Sequence, residues 1–62
     1  MEYLVNNEKI ELNPEDVEFV LPYFQTNKLI LKNQEYHIEK IDKNPSTWIL
    51  TRCGKAFGVR EV

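Results

Sequence analysis

Three short apolar segments, Lys28–Lys32, Glu35–Ile41 and Thr47–Cys53, follow one another with turn-forming residues between them. A fourth, Ala56–Val62, comes after Gly54 and can fold back on the third. Segments of this length with period-two alternation are strands, so residues 28–62 are expected to form an antiparallel meander. Everything before Asn27 then has to pack on the surfaces that this sheet presents.

With Asn33-Gln34 as a turn, Lys32 faces Glu35, Leu31 faces Tyr36, Leu29 faces Ile38 and Lys28 faces Glu39. Leu29, Leu31, Tyr36 and Ile38 then share one apolar face, and opposite charges meet on the other. Asp42–Ser46, with Asn44 and Pro45, is a loop whose register the pattern leaves open. Trp48, Ile49 and Leu50 are consecutive and apolar, as in a strand contacted on both faces. Gly54-Lys55 suits a two-residue type II′ turn that sets Arg52 opposite Phe57, Leu50 opposite Val59 and Ile49 opposite Arg60.

The first twelve residues form a hairpin. Asn6-Asn7 tolerates the positive φ of a type I′ turn. The register then pairs Tyr3 with Ile10 and Val5 with Glu8, collecting Met1, Tyr3, Val5, Ile10 and Leu12 on one face. Glu2 and Glu11 become opposed like charges. Between hairpin and meander, Asn13-Pro14-Glu15-Asp16 has the composition of a helix start: a capping Asn, a Pro in the first turn and acids at the positive dipole end. Val17, Val20, Leu21 and Phe24 fall at helical spacing, predicting a helix over residues 14–26, kinked at Pro22, which lacks the N–H that would bond the carbonyl of Glu18. The predicted class is α+β: one kinked helix inserted in a small antiparallel sheet, order ββαβββ(β), with partial closure into an SH3-like or OB-like barrel.

Sixty-two residues allow one core, hence one domain over 1–62. With 42% apolar and 29% charged residues the chain is globular rather than disordered. No apolar run approaches the roughly 20 residues of a membrane span, and the first residues lack the basic and apolar regions of a secretory signal. The lone Cys53 has no internal disulfide partner. These features give the expectation of a cytoplasmic protein without membrane contacts.

Residues 1–26 carry six acids against Lys9 alone, a net −5, whereas residues 27–62 carry seven Lys and Arg against four acids, a net +3. Such segregation fits either two complementary packed layers or an acidic and a basic face. No glycine-rich phosphate loop is present, because Gly54 and Gly58 are the only glycines and neither lies between a strand and a helix. His37 and Cys53 are the only soft ligands, too few for a structural zinc site, so neither metal nor cofactor is expected. A Cys53–His37 nucleophile and base would lack both an orienting third group and a substrate pocket. Ser46 lies outside any nucleophile-elbow context. The expectation is a non-enzymatic protein.

Two binding functions remain. A protein-interaction or regulatory module would contact an unknown protein partner, or a second copy, through Phe19 and Tyr23 on the helix or through the isoleucine face Ile30, Ile41 and Ile49. The alternative is a nucleic-acid-binding sheet presenting Lys28, Lys32, His37, Lys55 and Arg60, with aromatic side chains to stack on bases. A net charge of −2 and a pI near 5.3 weigh against a dedicated nucleic-acid binder.

Overall fold

The computed structural model describes residues 1–62 and is nearly all sheet, 60% strand and 5% helical. Seven strands follow in chain order: β1 (Glu2–Val5), β2 (Glu8–Glu11), β3 (Val17–Pro22), β4 (Leu29–Leu31), β5 (Gln34–Ile41), β6 (Thr47–Thr51) and β7 (Lys55–Glu61). The expected α+β class with an inserted kinked helix is therefore incorrect. Pro14–Asp16 forms a single 3-10 turn, and the chain is extended from Val17 onward.

The physical reason lies in residues 17–24, which carry two periods at once. Val17, Phe19, Leu21 and Tyr23 alternate at spacing two as cleanly as Val17, Val20, Leu21 and Phe24 recur at helical spacing. A helix through Pro22 would lose a backbone bond and clash, a penalty of about 3 kcal/mol. The strand avoids that loss by placing Pro22 at its end, opposite Thr47. The would-be helical stripe is broken accordingly, since Val20 and Phe24 are each 53% exposed. Asn13 makes no side-chain cap, and its amide instead reaches the Asp16 carboxylate.

The first hairpin has the expected register, Tyr3 opposite Ile10 and Val5 opposite Glu8. Its turn residues Asn6 and Asn7 have φ of 52° and 67°, as type I′ requires. The β4–β5 hairpin departs from expectation: its turn is Lys32-Asn33, with φ of 51° and 64°, and Leu29 faces Tyr36. Moving a two-residue turn one position along the chain shifts the pairing by two residues, so both registers put Leu29, Leu31 and Tyr36 on the same face. The β6–β7 connection also differs. Gly54, at φ 86°, closes the loop Arg52–Gly54, and Leu50 faces Ala56 while Ile49 faces Phe57. That change is an odd number of residues, so it moves Val59 away from the face of Leu50.

The meander over 28–62 is corrected as well. β5 does not pair with β6. It runs parallel to β7, Ile38 beside Ala56 and Ile41 beside Gly58, while β6 lies antiparallel along the opposite edge of β7. Loop 42–46 crosses β7 to allow this: Asp42 N–H donates to Gly58 O at 2.8 Å, and Ser46 N–H donates to Val59 O at 2.9 Å. Successive carbonyls of a strand point to opposite edges, so the loop passes from one side of β7 to the other. β1 pairs with the end of β7, Leu4 with Arg60, and β3 pairs with β6. The strands β2, β3 and β4 each pair with one neighbour only, so the sheet stays open instead of closing as a barrel.

Apolar side chains fill both faces of the central strands. One core holds Leu29, Tyr36, Trp48, Leu50 and Ala56, with Phe19, Leu21, Tyr23, Leu31 and Ile38 around it. The other holds Tyr3, Val5, Ile49 and Val59, with Ile10, Leu12, Val17 and Phe57 at its margin. A register shift between Val17 and Phe19 explains how one strand serves both: Val17 turns to the second core and Phe19 to the first. The N-terminal hairpin is thus the cover of the second face.

Candidate interaction surface

The residues singled out for a protein contact do not form one patch. Ile49 is fully buried beneath the hairpin. Ile30, 62% exposed, stands on the short edge strand β4. Phe19 and Tyr23 are half-buried against the first core; Lys32 Nζ sits 4.4 Å from the Phe19 ring centroid. Tyr23 stacks on Trp48, ring centroids 5.0 Å apart, and the Trp48 indole N–H donates to Phe24 O. Only Tyr23 and Ile41 meet: Tyr23 Cε2, Ile41 Cγ2 and Trp48 Cζ3 converge over the bare backbone of Gly58.

The cations singled out for nucleic acid are dispersed too. Lys28 pairs with Glu35 at 3.3 Å, Lys32 lies over Phe19, and Arg60 pairs with buried Asp42 at 2.9 Å. His37 and Lys55 alone are neighbours, opposed across the β5–β7 ladder. Lys55 and Arg60 stand near opposite ends of β7 and, five residues apart on a strand, on opposite faces.

Two concavities mark the surface. The smaller, about 160 Å³, is wholly polar, lined by Asn6, Asn7, Asp42, Lys43, Asn44 and Arg60. Its groups bond to each other, although Arg60 Nε meets Asp42 only as an ion pair. The Asn6 and Asn44 backbone N–H groups donate to the Asp42 carboxylate, Lys43 N–H donates to Asn6 Oδ1, and Arg60 Nη2 donates to Asn7 Oδ1. Burial pushes the Asp42 carboxyl up, but the two backbone donors and the Arg60 guanidinium together outweigh it and hold it below its ordinary value. This cluster fastens the first turn to the crossover loop.

The larger is an open cleft of about 530 Å³ lined by Leu12, Asp16, Thr51, Arg52, Cys53, Lys55 and Phe57. It lies where the hairpin stops covering the second face, so Leu12 and Phe57 floor it with the margin of that core. Its walls are braced from both sides. Arg52 N–H donates to Asp16 O at 2.9 Å and Arg52 Nε to Glu15 O at 2.8 Å, tying the 3-10 turn to the β6–β7 loop. Thr51 Oγ1 accepts from Lys55 N–H and lies 3.1 Å from Cys53 Sγ, shaping the loop that presents the exposed thiol.

None of the residues chosen from the sequence for a protein contact lines this cleft, and of the proposed nucleic-acid residues only Lys55 does. The signal was available in part, because Leu12 and Phe57 are apolar ends of predicted strands. What brings them together is the pairing of β1 with β7, which no local pattern announces. No group of three or more His, Cys, Asp or Glu side chains is arranged to hold a metal. No helix is long and apolar enough to cross a membrane. No protein-family model matches the chain, and neither curated proteins nor solved structures gave a significant match.

Proposed function

We propose that the chain is a small non-enzymatic, cytoplasmic protein-interaction module whose contact surface is the cleft beside the β6–β7 loop. The observation that carries this reading is the incomplete cover of the second face. The hairpin shields Ile49 and Val59 but leaves the margin of the same core, Leu12 and Phe57, as an apolar floor within a braced polar rim. Such a floor gains most when a partner side chain displaces water from it, at about 25 cal/mol per Å² of apolar area.

Open sheet edges are the competing means of association, and two of the three, β3 and β4, are blunted. β4 has three residues. On β3, Tyr23 N–H bonds inward to Ser46 O, so by alternation Pro22 occupies an outward-facing position where a donor would be needed.

The test is selection of a displayed peptide library on the immobilised protein, repeated after alkylating Cys53 with a bulky maleimide. The reading expects enriched peptides whose affinity falls at least about tenfold on alkylation, the effect of losing a central contact. Failure to enrich any sequence, or binding indifferent to alkylation, overturns it.

A further inference from the structure

We infer that the cleft is built for an acidic protein segment that inserts an apolar side chain between carboxylates. This rests on the reading of the cleft as the contact surface and adds the chemistry of the partner. The chain forms only three ion pairs, Met1 with Glu11, Lys28 with Glu35 and Arg60 with Asp42, and none of them includes a residue that lines the cleft. Lys55 and Arg52 line it, and Lys40 stands beside Phe57 on the neighbouring strand. All three are exposed and none has a carboxylate within ion-pair distance. His37, opposite Lys55, adds a fourth basic group on the same side of β5 and β7.

Against them stand Asp16 in the cleft wall, its neighbour Glu15, whose carbonyl holds Arg52, and Glu39, at the register shift in β5. Among the residues that line the cleft the balance is cationic, Arg52 and Lys55 against Asp16, in a protein whose net charge is −2. The apolar floor therefore has Arg52 and Lys55 in its rim without an ion-pair partner, and a partner with carboxylates on both sides of an apolar residue supplies the complement. A polyphosphate backbone fits less well: it has no apolar anchor for the Leu12–Phe57 floor, and Asp16 opposes it from the wall.

Charge reversal with rescue tests the proposal. A short fluorescein-labelled peptide with a central Leu-Phe pair flanked by glutamates is titrated at low and high salt, beside glutamine-flanked and lysine-flanked versions. A labelled single-stranded oligonucleotide is titrated as a fourth probe. The glutamate peptide should bind at least about tenfold more tightly than the glutamine peptide at low salt, with the advantage shrinking as salt screens it. The Lys40→Glu/Lys55→Glu variant, checked for an unchanged circular dichroism spectrum and Tm, should reverse the order and prefer the lysine peptide. Equal binding of glutamate and glutamine peptides, blocked by Cys53 alkylation, overturns the acidic class while leaving the interaction reading intact. Binding of neither peptide overturns the proposal, and a failed library selection with it overturns the interaction reading as well. Oligonucleotide binding that displaces the glutamate peptide assigns the cations to nucleic acid instead.

Discussion

Arg60 Nε in β7 lies 2.9 Å from Asp42 Oδ1, and the Asp42 side chain is wholly inaccessible to solvent. Around that pair three separate segments converge: the Asn6-Asn7 turn, the start of the crossover loop and the end of the last strand. The hairpin that covers the second core pairs with β7 through only two residues, Tyr3 and Leu4. The Asp42 cluster is thus the second anchor that keeps the cover in place.

Removing the carboxylate leaves Arg60 without its counter-ion and two backbone N–H groups without their acceptor, and breaking one partner of a buried pair is strongly destabilising. Asp42→Ala should lower Tm by about 10 °C or more. Hydrogen exchange in β1 and β2 should quicken more than in β6. Protection lost evenly across all strands would show that the cluster does not hold the hairpin specifically.

The same carboxyl sets an acid limit. Its folded pKa is depressed, so its contribution is fully present above the unfolded value of about 3.9 and is lost as pH falls through the lower folded value. Denaturant midpoints should fall on acidification below about pH 4, and this part of the slope should vanish in Asp42→Asn. Tyr36 sets the opposite limit. Its burial, then the hydrogen bond and negative charge of Glu18, raise the phenol pKa. That contribution is present below about pH 10 and is lost as pH rises through the folded value. Tyr36→Phe should flatten the alkaline limb and leave the acid limb unchanged.

Two isoleucines that look alike in the sequence should behave differently. Ile49 is fully buried in the second core, whereas Ile30 is 62% exposed on an edge strand. Ile49→Ala should cost about 2–5 kcal/mol and Ile30→Ala less than about 0.5 kcal/mol, read from urea midpoints at constant slope. Comparable losses at both sites would contradict the hairpin cover.

The β4–β5 turn can be located with glycine. Asn33 has φ of 64° at the second turn position, where glycine is preferred, so Asn33→Gly should stabilise by a few tenths to about 1 kcal/mol. Gln34 faces Leu31 in the ladder, so Gln34→Gly should destabilise by about 0.5–1 kcal/mol. The opposite signs would place the turn at Asn33-Gln34.

That ambiguity shows how much the residues reveal on their own. The first hairpin was legible because Asn6-Asn7 fixes both its turn and its pairing. In the second, Lys32, Asn33 and Gln34 allow two turns that bury the same side chains, so hydrophobic pattern identifies the face and not the register. Residues 17–24 satisfied the helical and the extended period together, and the unpaired edge of β6 decided between them. The parallel contact of β5 with β7 was beyond local signals, because it depends on loop 42–46 crossing a strand that comes later in the chain. The cleft was hidden for the same reason. Leu12 and Phe57 approach each other only after β1 has found β7, and Asp16 reaches the loop only after β3 has found β6.

β7 bonds to β1, β5 and β6, yet it follows all of them in the chain. During synthesis the β1–β2 and β4–β5 hairpins and the β3–β6 pair can each form before β7, but no strand pairing joins them until Lys55–Glu61 emerges. Assembly is therefore a late, concerted event governed by long-range closure rather than by growth from one end. Until then Ile49 and the apolar side of the first hairpin remain uncovered together, which makes the interval before the last strand arrives the period of greatest exposure to aggregation.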